Sequence, residues 1–169
     1  MRHARAGHIR ASGWPLSHVL FLDFDGVLHP ETTRNEPLFC RLPLLEQWLR
    51  KRPKVDVVIS SSRRYSHKLE ALVVHFSKDI RPRILGLTPI RPVELVGEAY
   101  LQASAAGRIA RSLECCVWMA GSPAPHRRWA ALDDMPALFE PECPELVLCS
   151  PDTGLTQVEL EELDHRLGM

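Results

Sequence analysis

The sequence predicts an α/β fold, a doubly wound and mostly parallel sheet in three layers, with helices on both faces. Two observations predict it. Short apolar runs alternate with segments of helical periodicity from residue 18 to the C-terminus, and three of those runs end in polar chemistry: Asp23 with Asp25, Ser60 to Ser62, and Asp133 with Asp134. In an open parallel sheet the loops at the carboxyl ends of the strands converge on one crevice, so three such ends are expected to meet.

The first strand lies in "HVLFLDFDGVLHP", residues 18–30. His18 to Leu22 is too short for a membrane span and rich enough in Val, Leu and Phe for an interior strand. Alternation then points Asp23 and Asp25 to one side with Phe24 opposite, and Gly26 lets the chain turn just beyond. Two like charges so close repel unless a cation or a proton sits between them. An isolated Asp-x-Asp-Gly reads equally well as a solvated turn, and partners elsewhere must decide.

"PETTRNEPLFC" is a loop, and Pro43 starts a helix whose apolar positions Leu44, Leu45, Trp48 and Leu49 follow the 3.6 period. "VDVVIS" is the second buried strand; "SSSRRYS" follows, and "HKLEALVVHF" repeats helical spacing through Leu69, Leu72, Val73 and Phe76. "RILGLTP" is a third short strand closed by Pro89. Val93 to Leu113 is mainly helical with a break at Gly107, "CCVWMAGSPAPH" reads either way, and "RWAALDD" and "ELVLCS" are further strands. In "GLTQVELEELDHRL", Thr156 with Glu159 makes a capping box and Leu155 with Leu160 a staple, which predicts a final helix.

The 169 residues suit one domain, read as 18–169 behind a flexible basic tail at 1–17. With 21 basic and 21 acidic residues there is no net field to draw nucleic acid or membrane, although "MRHARAGHIR" holds no acid and keeps nucleic-acid contact as a second reading of the tail. The five cysteines form no C-x-x-C pair and leave one over, which argues against a zinc site or a disulfide framework. No signal peptide is apparent, and no stretch approaches ~18 apolar residues. A cytoplasmic protein is expected.

Three carboxylates near one point ask for a hard cation, and Mg2+ fits because it prefers oxygen ligands and keeps waters that a phosphate can replace. One carboxylate can attack phosphorus, a second can protonate the leaving oxygen and later deprotonate water, and a hydroxyl and a basic side chain can hold the phosphoryl charge. The dull alternatives are that the serines cap a helix and that Asp-Asp-Met-Pro is a surface turn.

"FLDFDGVLHP", "VVISSSRR" and "WAALDDMPALF" occur in the order of motifs I, II and IV of the haloacid dehalogenase (HAD) phosphohydrolase superfamily, which the chain resembles. It is most similar to small bacterial HAD-domain proteins related to the HAD domains of RNA-repair systems, with "GLTP" and "TGLT" as further points of likeness over residues 18–167. The resemblance implies a Rossmann-like, HAD-like fold and a Mg2+-dependent phosphatase working through an aspartyl-phosphate. It makes Asp23 the nucleophile and Asp25 the general acid and base. Asp134 with Asp133 is the acidic motif that completes the metal site, together with Asp23 and the backbone carbonyl of Asp25. Ser61 is the motif II hydroxyl, with Ser60 in reserve. Ser60, Ser62, Arg63 and Arg64 fall on the substrate side; Arg63 replaces a tryptophan of the relatives, Arg64 aligns with their arginine, and for both arginines substrate contact and surface solvation stay open. No basic residue falls at the motif III position in "SAAGRIARSLE"; Arg108, about a turn later, is the first candidate for that cation and Arg111 the second, with Arg64 or Arg91 behind them.

No long insertion follows motif I, so no large cap is expected; an open site suits a bulky substrate such as a phosphorylated protein or nucleic-acid end, a partner subunit could supply a lid, and the expected substrate is a phosphorylated small molecule or a phosphorylated macromolecule end. Trp14, Trp118 and Trp129 are offered as packing first and base-stacking second. A HAD-like binding module that has lost turnover and a phospho-acceptor signalling domain are the competing functions. The second is disfavoured because the Asp-x-Asp sits on the first strand.

Overall fold

The computed structural model describes residues 17–32, 36–90 and 110–169. Its centre is a five-stranded sheet in the order β3-β2-β1-β4-β5 with every pairing parallel. The strands are β1 (His18–Leu22), β2 (Val55–Ile59), β3 (Ile84–Leu87), β4 (Trp129–Asp133) and β5 (Leu146–Leu148), and the helices are α1 (Leu42–Arg50), α2 (Leu69–Val73), α3 (Ala110–Gly121) and α4 (Gln157–Leu167). The chain leaves β1 in one direction to build β2 and β3, then returns to the other flank of β1 for β4 and β5. The order therefore reverses between β1 and β4, the place where an open α/β sheet leaves a crevice at its carboxyl edge.

Alternation along the strands divides the core. Leu20 and Leu22 of β1, with Val57 and Ile59 of β2, pack under α1, α2 and α4 through Leu45, Leu49, Leu72, Leu160 and Leu163. Val19, Phe21 and Val58 face the other way and meet Cys115 and Met119 of α3. Phe21 takes Trp118 and Trp129 edge-on at 5.8 and 5.4 Å, so these two tryptophans are packing residues. Trp14 lies outside the described residues, as do the rest of the tail to residue 16 and most of the expected Val93–Leu113 helix. Ser17, counted with the tail above, is buried, and its hydroxyl accepts from Arg127 Nη1 at 3.1 Å.

Two helices differ from their expected extents. α2 is only five residues long: beyond Val73 the carbonyls of Val74 and Phe76 accept from Arg81 at 2.9 and 2.8 Å, and the Ser77 backbone N–H donates to Glu46 of α1 at 2.6 Å, so the groups after the helix are bonded to partners outside it. α3 runs through "CCVWMAG", which had no settled reading, since burying Cys115 and Met119 against Phe21 outweighs the modest helix propensity of Cys, Val and Trp. Among the described residues no helix is long and apolar enough to cross a membrane, and no cap domain covers the carboxyl edge.

α4 begins as its sequence signature demands: Thr156 accepts from the Val158 N–H at 3.2 Å, and Glu159 reaches back to the Thr156 N–H at 2.7 Å. Thr156→Ala should cost about 1 kcal/mol, a fall in Tm of roughly 2–4 °C. Thermal melts check it, and an unchanged Tm would mean that packing of Leu160 and Leu163 alone sets this helix start.

Candidate functional site

Asp23 follows β1 directly and Asp133 ends β4, and the pairing of Leu22 with Leu132 sets them side by side at the carboxyl edge. The Asp23 backbone N–H donates to the Leu132 carbonyl at 3.0 Å, which fixes that register. Gly26 turns the chain with φ 70°, and the Asp134 carboxylate occupies the space that a Cβ at Gly26 would need. Glycine is therefore required there twice, for its backbone and for the close approach. Carboxylate oxygens of Asp23, Asp133 and Asp134 all lie within 4.8 Å of one another.

Three desolvated carboxylates need positive charge, and α3 supplies one. Arg111, itself buried, donates from Nη1 to Asp23 Oδ2 and to Asp133 Oδ2, both at 2.6 Å. Burial alone would lower the pKa of this guanidinium, but the two carboxylates outweigh it and raise it. The other Asp23 oxygen accepts the Phe24 N–H at 2.7 Å and the other Asp133 oxygen accepts the Met135 N–H at 2.9 Å. No side chain among the described residues is bonded to Asp134. Burial, then the charge of Asp23, pushes its pKa up to about 6. Burial also raises Asp133, with Asp23 adding to it and Arg111 opposing.

Asp25 has different surroundings. Arg63 holds it with two hydrogen bonds, Nη2 to Oδ1 at 2.6 Å and Nε to Oδ2 at 3.0 Å, and His29 Nε2 adds a third to Oδ1 at 3.1 Å. The Arg63 hydrogen bonds bring its carboxyl below the usual range against the opposing effect of burial. The Asp25 carboxylate is thus committed away from the acidic group, so only its backbone carbonyl is left to serve a metal there.

The serines share the same edge. Ser60 and Ser61 are buried; Ser60 Oγ has no partner among the described residues, and Ser61 Oγ caps the following turn by accepting from the Arg63 N–H at 3.4 Å. Ser62 is exposed. Arg64 is a correction to its reading as a substrate contact or a solvated surface charge. Its side chain is fully buried in an ion pair with Glu114 of α3, and it also donates to the carbonyls of Ser60 and Ser61. It cannot reach a substrate without leaving Glu114 unpaired in the core. Arg108 and Arg91 lie outside the described residues, whereas Arg111, placed second above, touches both Asp23 and Asp133. His29 was not singled out at all; its only signal was a histidine on an apolar stretch four residues after Asp25.

The donor set fits Mg2+: hard carboxylate oxygens converge, with Asp23 and Asp134 not fully engaged by protein partners. Arg111 neutralises one of three carboxylates and leaves a charge that a divalent ion would balance.

The family described as the HAD domain in Swiss Army Knife RNA repair proteins matches residues 19–160. The chain belongs to that family, and so is a HAD-like phosphohydrolase at the level of the superfamily. No curated protein and no solved structure matches it.

Two predictions come from this charge balance. Asp134 keeps its proton to about pH 6 in the folded chain but loses it near the ordinary 3.8 when unfolded. The unfolded state then binds fewer protons across that window, so stability falls as pH rises through it and is level above. In a chelating buffer Asp134→Asn should remove this fall and be the more stable protein at pH 7, by on the order of 1 kcal/mol once its half-exposed position is allowed for. Melting curves at pH 4 and pH 7 test it, and a parallel pH response in both proteins would defeat it. Arg111→Ala should instead destabilise by about 3–5 kcal/mol at neutral pH, since Asp23 and Asp133 are left buried without their cation. Urea unfolding reads that directly, and a loss below about 1 kcal/mol would mean the pair tolerates exposure to water.

Proposed function

We propose that the protein is a Mg2+-dependent phosphatase that transfers the phosphoryl group of a monoester to Asp23 and then to water. The observation that carries this reading is the meeting of Asp23, Asp133 and Asp134 at the switch point of the sheet, with Arg111 bridging the first two. Asp23, Asp134 and the Asp25 carbonyl are the residues that would hold Mg2+, which when bound supplies Lewis-acid neutralisation of the phosphoryl oxygens.

The chain's own groups divide the remaining work. An Asp23 oxygen forms the bond to phosphorus as the bond to the leaving oxygen breaks, and that oxygen takes a proton from Asp25, which as an ionised carboxylate must first have taken that proton up from solvent. Asp25, now a carboxylate, takes a proton from water as the water oxygen attacks the phosphorus and returns Asp23 to its starting form. Arg111 holds Asp23 and Asp133 in place and offsets their charge against the incoming phosphate. The Ser61 hydroxyl, or that of Ser60, which has no partner among the described residues, donates to a phosphoryl oxygen, and Arg63 at the mouth of the crevice is the substrate-side cation.

A carboxyl edge without a cap among the described residues supports a bulky phosphomonoester, and the RNA-repair context of the family puts phosphorylated nucleic-acid ends first among candidates, ahead of small metabolites. Cysteines without disulfides among the described residues accord with a cytoplasmic setting.

Hydrolysis of an aryl phosphate should require Mg2+, and Asp23→Asn should abolish it without lowering Tm, because a neutral amide cannot attack phosphorus. Retained turnover in that variant would remove Asp23 as nucleophile. A panel of 3′- and 5′-phosphorylated oligonucleotides and phosphorylated metabolites then ranks substrates by kcat/KM, and a metabolite preferred over every oligonucleotide would overturn the nucleic-acid reading.

A further inference from the structure

His29 is almost fully buried, yet its Nε2 lies 3.1 Å from Asp25 Oδ1 while its Nδ1 has no partner among the described residues. A carboxylate only accepts, so Nε2 carries the proton and donates it to Asp25. The ring is fixed from outside by Phe39, edge-on with centroids 5.6 Å apart, and Phe39 in turn stacks on His75 at 4.2 Å. Phe39 holds φ 63°, a conformation that costs a bulky residue energy and persists only where the surroundings enforce it. A bridge between Asp25 and His29 ties their backbones as well.

Arg63 is the more solvated of the two partners: its side chain and that of Asp25 are 27% and 32% exposed, against 6% for His29, and it is held by its two hydrogen bonds to Asp25 and by its place 5.4 Å over the Phe39 ring. Arg63 is nonetheless the sole partner of Asp25 Oδ2 among the described residues, and it also feels the charge of Asp23. While it stays there, each Asp25 oxygen carries a hydrogen bond from a protein donor, and a leaving oxygen or a water must share Oδ2 with the guanidinium.

From these contacts we infer that His29 is the positioning residue of Asp25 and that Arg63 is an exchangeable clamp, drawn off Asp25 by the phosphate of the substrate. An oxyanion beside Asp23 offers Arg63 a doubly charged partner in place of a single carboxylate, within the reach of a planar donor fork. The exchange uncovers Oδ2 for proton transfer at the moment phosphate arrives, while His29 keeps Oδ1 and so the orientation of the carboxylate. The role given to Asp25 rests on the phosphatase reading above; the exchange of Arg63 does not.

A crystal structure of the wild-type protein with Mg2+ and tungstate tests the exchange directly. Arg63 on the tungstate with Asp25 still on His29 is the expected result, and Arg63 remaining on Asp25 overturns the inference. A protein that shows the exchange yet hydrolyses no phosphomonoester removes the phosphatase reading and leaves the exchange standing. Kinetics test the positioning role. Protonation matters most for a poor leaving group, so His29→Leu should lower kcat at least about tenfold on an alkyl phosphate, with much less effect on p-nitrophenyl phosphate and little on KM. His29→Gln, which keeps a donor near Nε2, should restore most of the lost rate. Equal losses on both substrates, or no rescue by glutamine, would show that His29 merely packs.

Discussion

The double contact of Arg111 with Asp23 and Asp133 is the constraint on which the arrangement depends. Sheet order and register force those carboxylates together between β1 and β4, where both are buried. Like charges taken out of water at that separation would not both stay ionised without a cation. The guanidinium from α3 provides it and ties a helix on one face of the sheet to two strand ends. Because the guanidinium touches two of the three carboxylates and not Asp134, the site retains an excess of negative charge when all three are ionised. That excess is the charge that a divalent ion would balance.

Arg111 can do this only if α3 is held in rotation and along its axis, and the buried pair of Arg64 with Glu114 does the holding. Glu114 lies three residues beyond Arg111 on the same helix, so the two project from neighbouring positions. Arg64 sits just after the serines and bonds the carbonyls of Ser60 and Ser61 as well as Glu114. Burial raises the Glu114 pKa and Arg64 opposes the shift, as expected for a carboxylate that depends on its partner. One ion pair thereby couples the hydroxyls after β2 to the cation that faces β1 and β4.

The strands and their acidic ends were legible because alternation and apolar runs are local signals, and each aspartate sits immediately after such a run. The capping box was legible for the same reason. Arg64 was not, because its partner lies 50 positions away and nothing in "SSSRRYS" distinguishes a buried arginine from a solvated one. That Arg111 faces the acids was not legible, because it depends on where helix α3 presents its buried face, and the propensities of "RSLECCVW" are too weak to set that without Phe21 to pack against. The short α2 escaped because the groups beyond its end are bonded to Arg81 and Glu46, partners that no local pattern marks.

Asp23 and Asp25 stand two residues apart with side chains that strand alternation alone would treat alike, and the fold gives them opposite surroundings. Asp23 is buried on a fixed guanidinium and a backbone N–H, partners that cannot move without shifting α3 or the strand end. Asp25 falls beyond the strand, beside the Gly26 turn, where one partner is buried and rigid and the other sits half in water. Under the proposed mechanism, a group that attacks from one fixed position is served by immobile partners, whereas a group that gives up and regains a proton is served by one partner that can be displaced. The transition from strand to turn between these two aspartates is therefore what separates their chemistry, and Gly26, with its positive φ and no side chain to displace Asp134, is what permits that transition so close to the sheet.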